Sequence, residues 1–157
     1  MKITLLVIGQ TDALYLKNGI EEYLKRINHY ISFELKIIPD IKKVKNASEE
    51  IQKKKEGELI LNHLNNSTEM VLFDEAGNSL TSRGFSEFLQ KKMASGLKEL
   101  TFVVGGPYGF SGDVYNLASE IISISKMTFS HQMVRLIVLE QFYRAFTIFK
   151  GEPYHHG

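Results

Sequence analysis

The chain of 157 residues has no cysteine, no tryptophan and only three prolines. The absence of cysteine excludes disulfide frameworks, thiolate zinc sites and thiol nucleophiles. No apolar run approaches the ~20 residues that a membrane-spanning helix requires. The apolar stretch at residues 3–8 is too short for the core of a signal peptide. We therefore expect a cytoplasmic protein that makes no use of a membrane.

Net charge is also nearly absent. Nineteen lysines and arginines against eighteen aspartates and glutamates leave a formal charge of +1. Such a balance does not indicate a protein that coats nucleic acid with a basic surface. A hydrophobic fraction of 43% and a charged fraction of 24% are ordinary for a folded chain, and the length predicts one domain over residues 1–157. The lysines cluster at residues 42–55, which we interpret as a solvated loop and helix face rather than a phosphate-binding patch.

Apolar periodicity predicts strands and helices that alternate along the chain. Strands are predicted at residues 2–8, 33–38, 70–73, 100–104 and 121–124, with a turn at 74–78. Helices are predicted after Asp12, after a capping box of Asn46 and Glu49, from Thr81 or Ser82 to Gly96, at about 111–119, and at 131–149. This order favours an α/β fold with a mostly parallel sheet and helices on both faces. The last helix is apolar on most sides, which indicates burial in the core or in a dimer interface.

Two unusual loops follow the fourth and fifth predicted strands. Gly105 and Gly106 have no Cβ atom and Gly109 can adopt positive φ, so the main-chain amides of this loop could approach a planar or anionic ligand. The second loop covers residues 124–130, where Ser130 can cap the last helix. Ligands of open parallel sheets bind at the carboxyl ends of strands. The glycines alone fit a tight turn equally well, and they form neither a dinucleotide fingerprint nor a Walker sequence.

Cationic side chains of the last helix are a second group of candidates. His131 and Arg135 are four residues apart and share a helix face, whereas Arg135 and Arg144 lie on roughly opposite faces. Spacing alone is equally consistent with an ion pair of Arg144 with Glu140. The tail at residues 151–157 either frays or reaches into a cleft. The histidines lack metal-ligand spacing, so no metal site is predicted.

Several motifs in their order resemble a family of SPOUT-class methyltransferases, the large-subunit ribosomal RNA pseudouridine methyltransferases H, over essentially the whole chain. The matching pieces are residues 1–3, 7–9, 22–26, 55–57, 102–109, 123–129, His131, Arg135, 140–141, 143–145 and 153–155. The resemblance implies a C-terminal trefoil knot, a homodimer, and S-adenosylmethionine as cofactor. It assigns cofactor binding to Phe73, Gly105, Ile124, Ser125, Lys126, Met127, Thr128 and Phe129. Phe73 departs from the leucine that the resemblance leads us to expect, and its ring could either cover the adenine or make the pocket tighter.

The reaction that this resemblance implies is methylation of N3 of a pseudouridine in large-subunit (23S) RNA within the assembled ribosome, without a metal. His155 would be the general base or proton relay, with Tyr154 and Arg144 beside it, while His131 and Arg135 would contact substrate. In a dimer, one arginine can serve the neighbouring subunit's site. Another RNA substrate such as transfer RNA, a docking factor of the ribosome without activity, and a Rossmann-type nucleotide-binding protein are the alternatives.

Overall fold

The computed structural model describes residues 1–41 and 48–157. Within these residues five strands and five helices alternate along the chain. The strands are β1 Lys2–Ile8, β2 Ser32–Ile38, β3 Thr68–Ser79, β4 Glu99–Val104 and β5 Glu120–Ser123. The helices are α1 Leu14–Ile27, α2 Glu49–Asn62, α3 Ser82–Ala94, α4 Gly112–Leu117 and α5 Met133–Lys150.

The strands form a single parallel sheet in the order β2-β1-β4-β3-β5. Helices α1, α3 and α5 cover one face of this sheet, and α2 and α4 cover the other. The predicted α/β fold is therefore confirmed. The connections through α1 and α3 lead toward the β2 edge of the sheet, and those through α2 and α4 lead toward the β5 edge. Because these two pairs of helices lie on opposite faces, all four connections have the same handedness.

An aromatic cluster fills the core between the sheet and the first layer of helices. Phe102 of β4 is fully buried at its centre and contacts the Phe142 ring of α5 edge-on, with ring centroids 4.8 Å apart. Phe73 of β3 stacks on Phe102 at 5.3 Å, and Phe85 of α3 lies against Phe142 at 5.1 Å. Because α5 contributes to the centre of this cluster, its apolar character is explained by burial within the chain.

The exit of β3 corrects the prediction of a turn at residues 74–78. The strand continues to Ser79, and its pairing with β5 shifts register between Phe73 and Asn78, both of which pair with Ile122. A Cβ atom on Gly77 would lie 2.7 Å from the main chain of Ile121. Glycine therefore permits a close approach of two backbones within the bulge at residues 74–77, and the strand resumes its pairing with β5 at Asn78.

The helix termini follow the predicted chemistry with shifts in position. The predicted cap Asn46 lies outside the described residues, and Ser48 is the N-cap of α2, with its Oγ accepting from the amide of Ile51 at 3.3 Å. Helix α5 begins at Met133, whose amide donates to Ser130 Oγ at 3.1 Å. None of the helices in the described ranges is long and apolar enough to cross a bilayer.

Candidate cofactor site

The carboxyl ends of β3, β4 and β5 open into a cleft of about 650 Å³. Its size falls in the range of small-molecule sites. The loop after β4 and the loop after β5 form its walls, as expected from the position of ligand sites in parallel sheets. It is lined by Phe73, Asp74, Glu75, Ala76, Val104, Gly105, Gly106, Pro107, Tyr108, Gly109, Phe110, Tyr115, Ile124, Ser125, Met127, Thr128, Phe129, Ser130, His131 and Val134.

The first wall is a glycine-rich turn that leaves no room for side chains at its base. A Cβ atom on Gly105 would lie 3.0 Å from the Phe110 ring, which is buried in the second core layer. The amide of Gly109 donates to the carbonyl of Gly106 at 3.2 Å, and Gly109 has a φ of 80°. The loop therefore needs glycine for close packing at its base and for a left-handed residue at its end.

The second wall is held by serine side chains. Ser123 Oγ donates to the carbonyl of Ser125 at 3.0 Å, and Ser125 Oγ accepts from the amide of Met127 at 2.9 Å. These bonds turn the loop so that Met127 and Phe129 line the cleft while remaining substantially exposed. Lys126 is also exposed, but it is absent from the cleft lining, unlike the other predicted cofactor residues.

Phe73 closes the inner end of the cleft, but its ring belongs to the core. The residue is 7% exposed, and its ring stacks on Phe102 and lies edge-on to Phe85 and Phe142. Side chains along a strand alternate between the two faces, and position 73 points toward the layer of α1, α3 and α5. The prediction that this ring covers an adenine is therefore not supported, because the ring is engaged in the core.

Asp74, a carboxylate of the predicted turn, also lines the cleft. Asp74 Oδ1 accepts from the amide of Ala76 at 2.8 Å, and its Oδ2 accepts from the hydroxyl of Tyr115. Burial, together with the hydrogen bond to Asp74, raises the pKa of Tyr115 to about 12. The two residues are 41 positions apart, and no local pattern joins them, so the sequence carried no signal for this pair.

Arg135 is buried on the far side of the loop that follows β5. It is 1% exposed, and its guanidinium donates to the carbonyls of Ile8 and Gly9 and to Thr11 Oγ1. Burial lowers the pKa of Arg135, although Asp40 and Asp12 act in the opposite direction. Arg135 ties the first turn of α5 to the end of β1. Because the side chain is buried and directed toward the end of β1, the predicted substrate contact is not supported.

Gln132 makes a second connection between the same two segments. Its side-chain oxygen accepts from the amide of Asp12 at 2.8 Å, and its amide nitrogen donates to Asp12 Oδ2 at 2.7 Å. The loop after β5 is thereby anchored at one end by β5 and at the other by the segment that follows β1. His131, next to this anchor, is exposed and lines the cleft, as expected of a substrate-contacting residue.

The C-terminal tail folds back along α5 and forms a polar cluster around Glu140. Arg144 donates through Nε to Glu140 at 3.0 Å, and the Tyr154 hydroxyl donates to the same carboxylate oxygen at 3.1 Å. The Arg144 guanidinium lies 4.9 Å from the Tyr154 ring centroid and 3.2 Å from His155 Nδ1. Arginine has only donors, so Nδ1 accepts and the neutral imidazole carries its proton on Nε2. The predicted catalytic residues are thus brought together.

This tail cluster does not line the cleft. From Val134, which lines the cleft, to Arg144 the helix advances ten residues, or about 15 Å along its axis. Sequence reasoning identified Glu140 only as a partner of Arg144, and it missed Tyr23, whose hydroxyl lies 3.2 Å from that of Tyr154. Among the residues that the structure describes, no group of three or more metal-ligating side chains occurs.

Comparison with known proteins adds sequence relatives of the full chain. The profile of a family described as "Predicted SPOUT methyltransferase" matches residues 1–155. A protein named ribosomal RNA large subunit methyltransferase H from Parabacteroides distasonis is 62% identical over 156 residues, which are 99% of each chain. Proteins of the same name from Christiangramia forsetii and Bacteroides thetaiotaomicron are 59% and 50% identical, also over 99% of each chain.

Proposed function

Since this chain belongs to the SPOUT methyltransferase family, whose members use S-adenosylmethionine, we propose that it methylates large-subunit ribosomal RNA. The observation that carries the proposal is the cleft at the carboxyl ends of β3, β4 and β5, where the two glycine- and serine-held loops meet. The substrate class comes from the relatives, which share its full length and are named for this activity.

The residues of the cleft fit S-adenosylmethionine. The base of the Gly105 loop excludes side chains, so main-chain groups form the wall that an adenine edge can meet. Asp74 and Glu75 add carboxylates to the lining, and these complement the positive sulfonium and ammonium groups of the cofactor. Ile124 and Phe129 add apolar contacts, and Phe73 closes the inner end.

The methyl transfer depends mainly on the alignment of the methyl donor with its acceptor. When bound, S-adenosylmethionine supplies a methyl group on sulfur that already carries its leaving group. The two loops then orient the methyl group toward the opening of the cleft, and the anchor of Arg135 and Gln132 keeps the second loop in place. Holding donor and acceptor in reactive alignment accounts for a large part of the rate enhancement of such a transfer.

We propose N3 of a pseudouridine as the methyl acceptor and His155 as the group that takes the imide proton. In the described arrangement His155 Nδ1 accepts from Arg144, so the tail must exchange this contact for the RNA before the imidazole can act as a base. Arg144, whose pKa is raised by its hydrogen bond to Glu140, stays charged and can hold a phosphate or a base carbonyl. A positioned general base contributes about 10²- to 10⁴-fold.

The separation of tail and cleft leads us to propose that the tail acts on the cleft of a partner subunit in a homodimer. A second groove of about 230 Å³ lies beside the cleft, and Leu80 and Phe129 on its rim are each 40% exposed. Covering such apolar surface is a usual reason for self-association. Thr81 and Ser82 line this groove, and the adjacent Arg83 contacts Gly157 of the tail, so a dimer formed there would bring a second tail toward the Phe129 side of the cleft.

Co-expression of two inactive variants tests this arrangement. Gly105→Val blocks the cofactor wall and His155→Ala removes the proposed base. If the tail acts on the partner, a mixed dimer has one intact cleft facing one intact tail, so the purified mixed dimer has about half of the wild-type activity and the unseparated co-expressed sample about a quarter. If each tail serves its own cleft, every site in the mixed dimer carries a lesion and no activity returns.

We also propose that α5 closes a trefoil knot. Strand β5 lies at the edge of the sheet, yet Arg135 of α5 reaches the carbonyls of Ile8 and Gly9 at the end of β1, three strands away. The chain after β5 therefore crosses the ends of β3 and β4, as a threaded segment does. A stable domain fused to the C-terminus should slow refolding from denaturant more than the same domain fused to the N-terminus. Equal refolding rates would argue against threading.

The decisive experiment is mass spectrometry of ribosomal RNA from cells that lack this protein. We expect the loss of one methyl group from a pseudouridine of the large-subunit RNA, restored by the wild type and not by Gly105→Val. With a net charge of +1, the protein should modify assembled particles and leave protein-free RNA nearly untouched. Loss of a methyl group from transfer RNA instead would identify transfer RNA as the substrate. Unchanged methylation of every RNA would favour the alternative of a ribosome-docking factor without activity.

A further inference from the structure

We propose that Tyr108, at the mouth of the cleft, stacks on a nucleobase of the RNA and thereby positions the substrate. This inference rests on the proposed RNA methyltransferase activity, which concerns the cleft itself, and it adds a substrate contact that the resemblance does not assign.

The backbone presents Tyr108 in a defined position. Residues 106–109 form a turn closed by the bond from the Gly109 amide to the Gly106 carbonyl. Pro107 precedes Tyr108 and restricts φ at the first central position of this turn, while Gly109 takes the left-handed conformation that ends it. A Cβ atom on Gly106 would meet the buried carboxylate of Glu56 at 2.9 Å, so the turn sits directly on α2.

The ring of Tyr108 lies in the lining of the cleft and is 37% exposed. Within residues 1–41 and 48–157, no hydrogen bond of its hydroxyl and no aromatic pair involving its ring occurs. Tyr115 lines the same cleft but is engaged, since its hydroxyl donates to Asp74 and its ring lies edge-on to Phe110. Burial and bonding therefore account for Tyr115, whereas Tyr108 leaves more than a third of its surface exposed at the cleft.

The opposite wall of the cleft also carries exposed apolar side chains. Met127 is 77% exposed and Phe129 is 40% exposed, and both line the cleft from the loop after β5. Large apolar side chains left open on two facing walls make a slot that suits a flat, apolar-faced ligand. Proteins that recognise unpaired RNA bases use exposed aromatic rings in this way. The neighbouring His131, which is exposed and lines the same cleft, is placed to meet a phosphate of such a nucleotide.

A series of substitutions at Tyr108 tests the stacking face separately from the hydroxyl. Phe and Trp keep an aromatic face, Leu keeps bulk without one, and Ala removes both. The assay measures KM and kcat with ribosomal particles from cells that lack the protein, together with the affinity for S-adenosylmethionine by calorimetry. We expect Tyr108→Phe and Tyr108→Trp to stay within about threefold of wild type, and Tyr108→Leu and Tyr108→Ala to raise KM about tenfold.

The cofactor measurement decides between a substrate contact and a structural one. For a base-stacking residue, affinity for S-adenosylmethionine and kcat stay within about threefold in all four variants while KM changes. A parallel loss of cofactor affinity in Tyr108→Ala would place the ring in the cofactor pocket and overturn the proposal. So would unchanged KM in Tyr108→Ala, or an equal loss in Tyr108→Phe. Failure of the wild type to methylate any large-subunit particle would count against the proposed function itself.

Discussion

Replacing Arg135 with methionine removes the connection between α5 and the end of β1 while keeping the length of the side chain. The guanidinium Nη1 donates to the carbonyl of Gly9 at 2.8 Å and to Thr11 Oγ1 at 3.0 Å, and Nη2 donates to the carbonyl of Ile8. Methionine has no donor, so two buried carbonyls and one hydroxyl lose their partner. The packing of the apolar part of the side chain against its neighbours is largely retained.

The expected cost follows from these bonds. A hydrogen bond from a charged donor contributes about 1.5–3 kcal/mol, so the loss of three at the lower end costs about 4–5 kcal/mol. The Nε atom of Arg135 is buried without a partner. Removing this unsatisfied group recovers about 1–2 kcal/mol. We therefore expect Arg135→Met to lower the free energy of unfolding by about 3 kcal/mol, a large part of the 5–15 kcal/mol typical of a domain.

Urea unfolding followed by far-ultraviolet circular dichroism measures this loss, because the chain has no tryptophan to report by fluorescence. Variants are compared at one protein concentration, since association would shift the midpoint. Arg83→Met is the control, because Arg83 is exposed and donates to the carbonyl of Gly157. We expect its effect to stay below about 1 kcal/mol. If Arg135→Met and Arg83→Met were equally stable, the buried guanidinium would not be the connection that the structure indicates.

The remaining predictions concern the cleft, its pH dependence and the tail. Gly105→Val should abolish binding of S-adenosylmethionine in calorimetry, because its Cβ atom would meet the Phe110 ring at 3.0 Å, whereas Gly112→Ala, with no neighbour within 4 Å, should bind normally. Folding raises the pKa of Tyr115 from 10.0 to about 12. The stability that this residue adds to the folded state is therefore present below pH 10 and is lost as the pH rises toward 12. Tyr115→Phe should therefore reduce the decline of stability over that range in thermal unfolding, and an unchanged decline would contradict the assignment. Arg144→Lys keeps the charge but loses the planar guanidinium group. Turnover should therefore fall at least tenfold while the free energy of unfolding changes by less than about 1 kcal/mol. Wild-type turnover in this variant would show that Arg144 does not contribute to the reaction.

The predicted elements agree best with the structure where the sequence pattern is strongest. The predicted boundaries of the first strand agree with Lys2–Ile8, because a central strand covered on both faces reads as a continuous apolar run. The second strand ends at Ile38, before Pro39, as the missing amide of proline requires. The exit of β3 was predicted only in part, since residues 74–77 form a bulge and the strand then pairs with β5 again at Asn78 and Ser79.

Some features of the candidate site were likewise predictable from the sequence and others were not. The two loops were predicted from the glycines after β4 and from the segment 124–130 that joins β5 to α5, and the cleft lies between them. The contact of Tyr115 with Asp74 and the burial of Arg135 were not predicted, because each depends on segments far apart in the chain. Helical spacing placed Arg135 and Arg144 on opposite faces, but it could not say which of the two faces the interior.

Sequence alone determined the alternation of strands and helices, the parallel sheet and the two loops, because these follow from apolar periodicity and from the conformations that glycine and proline allow. It also carried the motifs through which the family was recognised. Tertiary structure decided that Arg135 lies inside while Arg144 joins the tail, and that the tail sits about 15 Å along α5 from the cleft that it was predicted to serve. Those outcomes depend on how α5 packs between distant elements, and a spacing along one helix contains no information about what lies on either side of it.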